Sequence, residues 1–288
     1  MKKYRFSFVI LHYKNVEETL KCIASIEEMF DVEDYSIIVV DNGSGNGTGE
    51  LLQQKYVNKE YVHVIINQQN LGFARGNNVG FRYAKTRGSE FICMINSDTY
   101  LISNDFGQSI IREYETYRFY VLGPDIVAPN KEYRSNPMGN HVLSYSEMWK
   151  RVLSLQIQIA LCLIGGDALA SHIRKARHKE TAPSAYDRNH YYENVKLHGS
   201  CLIFSPEYVA EYDGINDCTF LYMEEDLLYY DMMRKEHLML YSPNVKIFHV
   251  GAASTPSKSS RKRKLFALRH HLNSAKAIRN YMRRVEQT

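Results

Sequence analysis

A chain of 288 residues, 44% hydrophobic and 24% charged, is long enough for one large domain with a sizeable core and is typical of a globular protein. No apolar run reaches the ~18–20 residues that a membrane-spanning helix needs, which excludes a transmembrane helix from this sequence. The net charge of +4 conceals an asymmetry: residues 1–236 carry 25 Lys/Arg against 31 Asp/Glu, whereas the interval between Glu236 and Glu286 holds eleven Lys/Arg and no acid. An acidic body with a basic tail predicts that the tail contacts an anionic partner.

The cysteines and the N-terminus indicate a cytoplasmic protein. The five cysteines are scattered and form no CxxC pair, which favours a reducing compartment over a disulfide frame or a structural zinc site. The first residues lead directly into a strand, with no visible signal peptide.

The first third of the chain alternates strands and helices. Apolar, β-branched runs predict strands at 6–11, 35–40, 62–66 and 91–95, and helical periodicity predicts helices at 17–29, at 50–56 and from about 70 to 85. Alternating βα units of this size predict a mainly parallel sheet with helices on both faces.

A glycine-rich loop, Asp41–Gly49, follows the second strand. A dinucleotide-binding fingerprint places its glycines after the first strand, where this chain has His12-Tyr13-Lys14, so a nicotinamide or flavin enzyme is disfavoured. The phosphate-binding pattern G-x-x-x-x-G-K-[ST] does not occur either.

The strand at 91–95 ends in the polar tripeptide Asn96-Ser97-Asp98. Ligands of open α/β sheets bind beyond the carboxyl ends of the strands, and a lone carboxylate there suits a divalent cation that keeps several waters and reaches ligand phosphates. The alternative is that Asp98 merely caps the next helix.

Three consecutive acids, Glu224-Glu225-Asp226, begin a predicted helix. Acids at this position complement the helix dipole, but three abutting carboxylates exceed that need, and their repulsion raises at least one pKa, as a general base near neutral pH requires. A later strand, predicted at 245–248, ends in His249, another polar group at a strand end.

Two helical stretches leave alternatives open. The helix predicted at 146–164 contains a thirteen-residue apolar run, which is too short to span a bilayer and favours a core helix over an interfacial one. A Ser/Pro-rich linker at 255–260 leads to a basic helix opened by Arg261-Lys262-Arg263-Lys264, which is either a solvated helix or one that docks on an anionic membrane.

From Phe6 to about Ser254 the chain resembles the inverting family 2 glycosyltransferases with the GT-A fold, especially the rhamnosyltransferase-like bacterial members. The matching motifs are weak singly and specific in this order: Val9-Ile10-Leu11-His12-Tyr13-Lys14-Asn15, Val39-Val40-Asp41-Asn42-Gly43-Ser44, Asn70-Leu71-Gly72-Phe73-Ala74-Arg75-Gly76-Asn77-Asn78, Asn96-Ser97-Asp98, Gly199, Tyr222-Met223-Glu224-Glu225-Asp226 and His249. The resemblance implies a GT-A domain over 1–255, with a Rossmann-like nucleotide-sugar half (about 1–125) and an acceptor half (about 126–255), followed by a basic helical tail at 256–288.

The resemblance also implies a role for each site residue. These are nucleotide-sugar contacts from His12, Tyr13, Asp41, Asn70, Gly72, Arg75, Asn78, Asn96 and Ser97, acceptor-side contacts from His198 and Gly199, metal ligands Asp98 and His249, and the catalytic base Glu225 with Glu224 and Asp226 as alternates. Asn96 replaces the first acid of the family's DxD motif, so the site has one carboxylate for Mg²⁺ or Mn²⁺ and strict metal dependence stays open.

The implied activity is transfer of a sugar from a nucleoside-diphosphate sugar to a saccharide or lipid-linked acceptor with inversion, in cell-surface polysaccharide synthesis. The implied place is the cytoplasm, with peripheral contact at an anionic inner leaflet; a homodimer is compatible with the sequence, and no nucleic-acid partner is expected. A sugar nucleotidyltransferase is the first alternative, although it is expected to have a Gly-rich basic loop after strand one. A catalytically inactive nucleotide-binding protein is the second.

Overall fold

The computed structural model describes residues 4–30, 34–129, 135–164, 186–251 and 261–287. Its nine strands are β1 Phe6–His12, β2 Tyr35–Asp41, β3 Val62–Ile66, β4 Phe91–Asn96, β5 Thr99–Leu101, β6 Val121–Val127, β7 Tyr192–Glu193, β8 Cys201–Phe204 and β9 Met239–His249. Its helices are α1 Val16–Met29, α2 Thr48–Tyr56, α3 Phe73–Thr86, α4 Phe106–Tyr117, α5 Tyr145–Leu163, α6 Pro206–Glu211, α7 Glu224–Arg234 and α8 Arg261–Val285. The linker predicted at 255–260 lies outside the described residues.

The strands form a single sheet in the order β3-β2-β1-β4-β8-β6-β9-β5, with β7 paired to β9. Strands β3, β2, β1 and β4 are parallel, as are β6 and β9, whereas β5, β7 and β8 run in the opposite direction. Six of the nine described strands therefore share one direction, and the predicted mainly parallel α/β fold is confirmed.

The sheet is buried on both faces because helices cover each side. In β1, Phe8 and Ile10 belong to one hydrophobic cluster while Val9 belongs to another, and β2 alternates in the same way. Alternate residues of a strand point to opposite faces, so a continuous apolar run is what a sheet between two helical layers requires.

Strand β9 begins six residues before the strand predicted at 245–248. Pro243 lies inside β9 and Pro124 inside its partner β6, and the pairing register shifts at Pro124/Asp125. Proline cannot donate to a sheet ladder and is tolerated at such irregularities, so the local proline signal hid the length of β9.

The C-terminal helix α8 packs on its own chain. Its buried residues Ala275, Ile278 and Met282 join a third hydrophobic cluster with residues from α5 and α7. At its start, the Arg261 guanidinium donates to the carbonyl oxygens of Cys162 and Leu163, each at 2.6 Å, so α8 begins beside the C-terminal end of α5. The apolar side of α8 is thereby covered at Ala275, Ile278 and Met282, whereas Phe266 near its start is exposed.

None of the described helices combines the length and the apolar character that crossing a membrane demands. All five cysteines lie in the described residues and all are free, four of them buried.

Candidate active site

Parallel pairing brings the carboxyl ends of β1, β2 and β4 to one edge of the sheet. His12 is opposite Asp41 in the β1–β2 register, and Asn96 is opposite Leu11 in the β1–β4 register. The polar residues that terminate three apolar runs are therefore neighbours at this edge.

The carboxylate of Asp41 is buried beneath the glycine-rich loop. Its Oδ1 accepts hydrogen bonds from the backbone nitrogen of Ser44 at 3.0 Å and from the Ser44 hydroxyl. A Cβ atom at Gly49 would lie 2.2 Å from Asp41 Oδ2, so only glycine leaves room for the acid at the start of α2. The loop thus encloses the carboxylate of Asp41.

His12 is fully buried, and both of its ring nitrogens have partners. Nδ1 lies 2.7 Å from the Thr19 hydroxyl and Nε2 lies 2.8 Å from the Thr48 hydroxyl. Burial lowers the pKa of His12 in spite of the nearby Asp41. The residue predicted to contact the nucleotide thus ties α1 and α2 together behind the site. The next residue, Tyr13, is 45% exposed.

Asn42 was not among the predicted site residues, yet its buried amide joins the two loops at this edge. Nδ2 donates to Asn70 Oδ1 at 3.1 Å and to the Gly72 carbonyl at 3.0 Å, and Oδ1 accepts from the Leu71 backbone nitrogen at 3.1 Å. Its position directly after Asp41, at the end of a strand, was the available signal.

Gly72 places α3 against a distant part of the chain. Its φ is +86°, and a Cβ atom there would lie 2.3 Å from the Phe220 carbonyl oxygen. That oxygen accepts the backbone N–H of Phe73 at 2.8 Å, and the exposed Arg75 donates from Nε to the Asp217 carbonyl at 3.3 Å. The N-terminus of α3 therefore contacts the loop that precedes α7.

Asn78 is not brought together with the other predicted residues. Its Nδ2 donates to the Ile215 carbonyl at 2.7 Å, and its Oδ1 accepts from the Ile215 nitrogen at 2.9 Å. It borders a different cavity, beside Asp231 and Tyr281. In this position Asn78 fixes the loop at Ile215 against α3.

Asp98 and His249 come together through the pairing of β5 with β9. Thr99 is opposite His249 in that antiparallel register, and Asp98 Oδ1 lies 3.3 Å from His249 Nε2. The two side chains are 20% and 14% exposed, respectively, so they are sheltered but accessible. Asn96 and Ser97, in the same turn, are half-buried.

His198 completes this group of polar side chains. Its ring centroid is 5.7 Å from that of His249, and burial together with His249 lowers the pKa of His198 to about 4. Its Nδ1 accepts the backbone N–H of Ser200 at 3.1 Å, so the proton of the neutral ring is on Nε2. His198 is therefore a neutral donor at pH 7.

The donor set at Asp98 suits a cation that is shared with a ligand. Within the described ranges, no group of three or more His, Cys, Asp or Glu side chains could hold a metal ion. Magnesium is commonly bound through one or two protein carboxylates, with the remaining positions filled by water and substrate phosphates. The pair formed by Asp98 and His249 fits that kind of site and does not fit a structural metal site.

The acidic triplet is presented by an unusual backbone turn. Tyr222 and Met223 both have φ of +71°, in the left-handed region that bulky residues rarely adopt, and α7 begins at the next residue. Such strained conformations persist where the surrounding structure enforces them, often at functional sites. The turn places all three acids around one cavity.

The three acids have different surroundings. Glu224 is 7% exposed and accepts from the Thr219 hydroxyl at 3.2 Å, and burial together with Glu225 raises the pKa of Glu224 to about 7. Asp226 pairs with the ammonium of Lys196 at 2.6 Å.

Glu225 Oε1 accepts the backbone N–H of Gly199 at 3.3 Å, and burial raises the pKa of Glu225 as well. Of the three acids, Glu225 is thus the one held against the predicted acceptor-side residue Gly199.

The cavity has a volume of about 320 Å³, and its lining includes Asn96, His198, Gly199 and the three acids. Among the lining residues that sequence reasoning missed are Arg151 of α5 and His271 of α8. The His271 ring stacks on Tyr222, with the centroids 4.3 Å apart. No local pattern marks these two residues, because they reach the cavity only through the packing of α5 and α8.

Comparison with known proteins gives a family and a fold. The family model described as Glycosyl transferase family 2 matches residues 7–170. The dTDP-rhamnosyl transferase RfbF of Shigella flexneri is 29% identical over 110 residues, which are 38% of this chain and 35% of that protein. The match thus spans about a third of the relative's length.

Two crystal structures of S. aureus TarS residues 1–349 share the fold. The structure without a named ligand aligns with a TM-score of 0.55 at 14% identity, covering 86% of this chain and 61% of TarS 1–349. The complex with UDP aligns with a TM-score of 0.55 at 13% identity, covering 92% and 64%. At these identities the likeness shows the α/β fold alone.

Proposed function

The chain belongs to glycosyl transferase family 2, and from that premise we propose that it transfers a sugar from a nucleoside-diphosphate sugar to a hydroxyl of a saccharide or lipid-linked acceptor, with inversion at the anomeric carbon. The observation that carries this proposal is the contact of Glu225 with Gly199 in a cavity that also includes the strand-end residue Asn96. A candidate base and the ligand-binding edge of the sheet thus face one space of about 320 Å³.

Glu225 is the proposed general base. The acceptor oxygen forms a bond to the anomeric carbon while the bond from that carbon to the diphosphate oxygen breaks, its electron pair leaves with the diphosphate, and the hydroxyl proton passes to a Glu225 carboxylate oxygen. A single displacement of this kind inverts the configuration. Burial raises the pKa of Glu225, which moves its basicity toward that of a base working near neutral pH.

The other two acids are less suited to the same task. Asp226 is held in an ion pair with the ammonium of Lys196 at 2.6 Å, so its carboxylate already has a partner. Glu224 is bonded to the Thr219 hydroxyl instead of to the Gly199 backbone. Both remain alternates that substitution can distinguish.

The nucleotide half of the site is proposed at the loops joined by Asn42. Tyr13 supplies an exposed ring for the nucleoside, and Asp41 supplies a carboxylate for the nucleobase. The loop that faces the diphosphate contains Asn70, Gly72 and Arg75. Asn42 and His12 act from behind, by holding these loops in place.

Asp98 and His249 would hold Mg²⁺ or Mn²⁺ together with the donor diphosphate. Bound there, the cation supplies charge neutralisation for the departing diphosphate. His198 is neutral and accepts the Ser200 N–H at Nδ1, so its Nε2–H is available as a hydrogen-bond donor beside His249.

The donor to test first is dTDP-rhamnose, since the curated relative RfbF is named as a dTDP-rhamnosyl transferase. A UDP-sugar follows, because the fold neighbour TarS was crystallised in complex with UDP. We further propose that the enzyme works in cell-surface polysaccharide synthesis, at the cytoplasmic face of the membrane. The domain division at about 125 and 255 and the homodimer also remain proposals.

The decisive experiment incubates the protein with Mg²⁺ or Mn²⁺, a panel of sugar donors and a saccharide or lipid-linked acceptor. Release of nucleoside diphosphate with formation of an inverted glycoside is the expected result. Pyrophosphate formation from a sugar phosphate and a nucleoside triphosphate would instead identify a sugar nucleotidyltransferase. Donor binding without turnover across the panel would identify a nucleotide-binding protein that has lost the chemistry.

A further inference from the structure

Helix α5 exposes a continuous apolar stripe. Trp149, Leu153 and Ile157 follow one another at four-residue spacing and are 52%, 47% and 49% exposed, and Leu163 and Ile164 continue the same face at 55% and 80%. Residues at this spacing lie on one side of a helix. The adjacent face of α5 is buried through Met148, Val152 and Leu155, so only part of the apolar surface of the helix is used by the core.

A stripe of this kind needs an explanation, because neighbouring exposed apolar side chains on one helix face mark an interaction surface more often than scattered ones do. The apolar run in this helix predicted a core helix, with an interfacial one as the alternative. The structure combines both features, since four apolar residues of α5 are buried and four large apolar residues are exposed.

Basic side chains lie directly beside the end of this stripe. The guanidinium of Arg261 bonds to the carbonyls of Cys162 and Leu163, so the first turn of α8, Arg261-Lys262-Arg263-Lys264, adjoins the exposed Leu163 and Ile164. One turn further along α8, Phe266 is 53% exposed between Lys262 and Arg269. The two helices together present apolar groups flanked by positive charge.

We propose that the α5 stripe and the basic face of α8 form a docking surface for an anionic lipid bilayer. Helices that lie in a membrane interface combine an apolar face with lysine and arginine, and binding grows with buried apolar area and with attraction to anionic headgroups. Tryptophan favours the boundary between acyl chains and headgroups, and Trp149 lies at one end of the stripe. This inference specifies the membrane contact proposed above and does not depend on the transfer chemistry.

Charge favours a bilayer over a second copy of the chain as the occupant of this surface. Helix α8 has no acidic residue between Arg261 and Val285, so two copies meeting through this surface would bring like charges together. An anionic leaflet neutralises the same charges.

The two helices of the proposed surface also border the catalytic cavity. Arg151 of α5 and His271 of α8 belong to the lining of that cavity, so the same two helices form both its wall and the proposed surface.

The chain carries its own probe, because Trp149 is its single tryptophan. The experiment records the Trp149 emission of the full-length protein with vesicles of phosphatidylglycerol and phosphatidylcholine, and with vesicles of phosphatidylcholine alone. We expect a blue shift and quenching by brominated acyl chains on the anionic vesicles, both weakened by high salt. An unchanged spectrum on anionic vesicles overturns the proposal.

Paired variants test whether vesicle binding depends on this surface or on any exposed apolar side chain. The double variant Leu153→Gln, Ile157→Gln should weaken partition into anionic vesicles by at least about tenfold, because two large apolar side chains no longer enter the interface. The control Leu51→Gln, Val57→Gln changes two exposed apolar residues at helix α2, which packs against β3, and its partition should match that of the unmodified protein. Equal loss in both pairs, or loss in neither, overturns the proposal.

Two further measurements separate this inference from the alternatives. If light scattering finds a dimer and Trp149 emission is already blue-shifted without lipid, the stripe is covered by a second copy and the bilayer proposal is wrong. Turnover of a short soluble acceptor should be equal in both double variants. A protein that binds vesicles through the stripe but transfers no sugar would overturn the proposed function and leave this inference intact.

Discussion

Glu225 Oε1 accepts a hydrogen bond from the backbone nitrogen of Gly199 at 3.3 Å, across 26 positions of the chain. A Cβ atom at position 199 would lie 2.9 Å from the same oxygen, so the absence of a side chain there allows the carboxylate to approach the strand end. The contact fixes one carboxylate oxygen and directs the acid toward the cavity that both residues line.

The variant Glu225→Gln should keep donor affinity near normal and lose turnover by about 10²–10⁴-fold, because the amide has a similar shape but cannot take a proton. Steady-state kinetics and donor calorimetry measure the two quantities. The matched control is Glu60→Gln, at an exposed acid outside the cavity lining, and it should change neither turnover nor donor affinity. A large loss in Glu224→Gln or Asp226→Asn, with Glu225→Gln active, would move the base to that acid.

Glu224→Gln should change the stability of the protein in a pH-dependent way. Burial raises the pKa of Glu224 from 4.5 to about 7, so its neutral form is favoured in the folded state and its contribution to stability is lost as the pH rises from 4.5 through 7. The neutral glutamine avoids this loss and keeps an oxygen for the Thr219 hydroxyl. We expect the variant to be more stable than the unmodified protein by up to about 3 kcal/mol at pH 8 and nearly equal to it at pH 4.5.

Denaturant unfolding at the two pH values checks the stability change. A free-energy difference that is the same at both pH values would show that the acid is not held neutral by its surroundings.

Asp98→Asn should remove the metal-dependent part of donor affinity while the fold stays intact. Asp98 is the only carboxylate in its pair with His249, and the substitution replaces that carboxylate by an amide. An amide is a much weaker ligand for Mg²⁺ or Mn²⁺. Calorimetry of donor binding with and without the metal measures the effect, and Asp213→Asn, at an acid paired with Lys85, is the control. Unchanged donor affinity in the presence of metal would exclude Asp98 as a ligand.

Asn42→Ala should weaken donor binding without any direct contact to the ligand. The change leaves the Leu71 nitrogen and the Gly72 carbonyl without their side-chain partner, at a cost of about 1–3 kcal/mol in a buried setting. Thermal shift by nucleotide and the free energy of unfolding should both fall.

The matched variant for Asn42 is Asn67→Ala, which removes only a longer bond to the same side chain, at 3.4 Å. Its effect should be small. Equal effects from the two variants would contradict a specific role for Asn42.

The sequence by itself determined the parallel half of the sheet and the polar residues at its edge. Apolar runs bounded by Asp41 and by Asn96 predicted both strands, because burial of a strand between helical layers leaves a local pattern. The strand-end position of His249 and the helix start at the acidic triplet followed from the same kind of signal. These features depend on residues that are close in sequence.

Only the tertiary structure decided which of these groups meet and what each one faces. The contact of Asp98 with His249 depends on the β5–β9 register, and the different surroundings of Glu224, Glu225 and Asp226 depend on Thr219, Gly199 and Lys196. The burial of His12 and the attachment of Asn78 to Ile215 were likewise outside the reach of motif spacing. The physical reason is that a local pattern records whether a side chain is buried, whereas its partner is selected by packing between elements that are far apart in the chain.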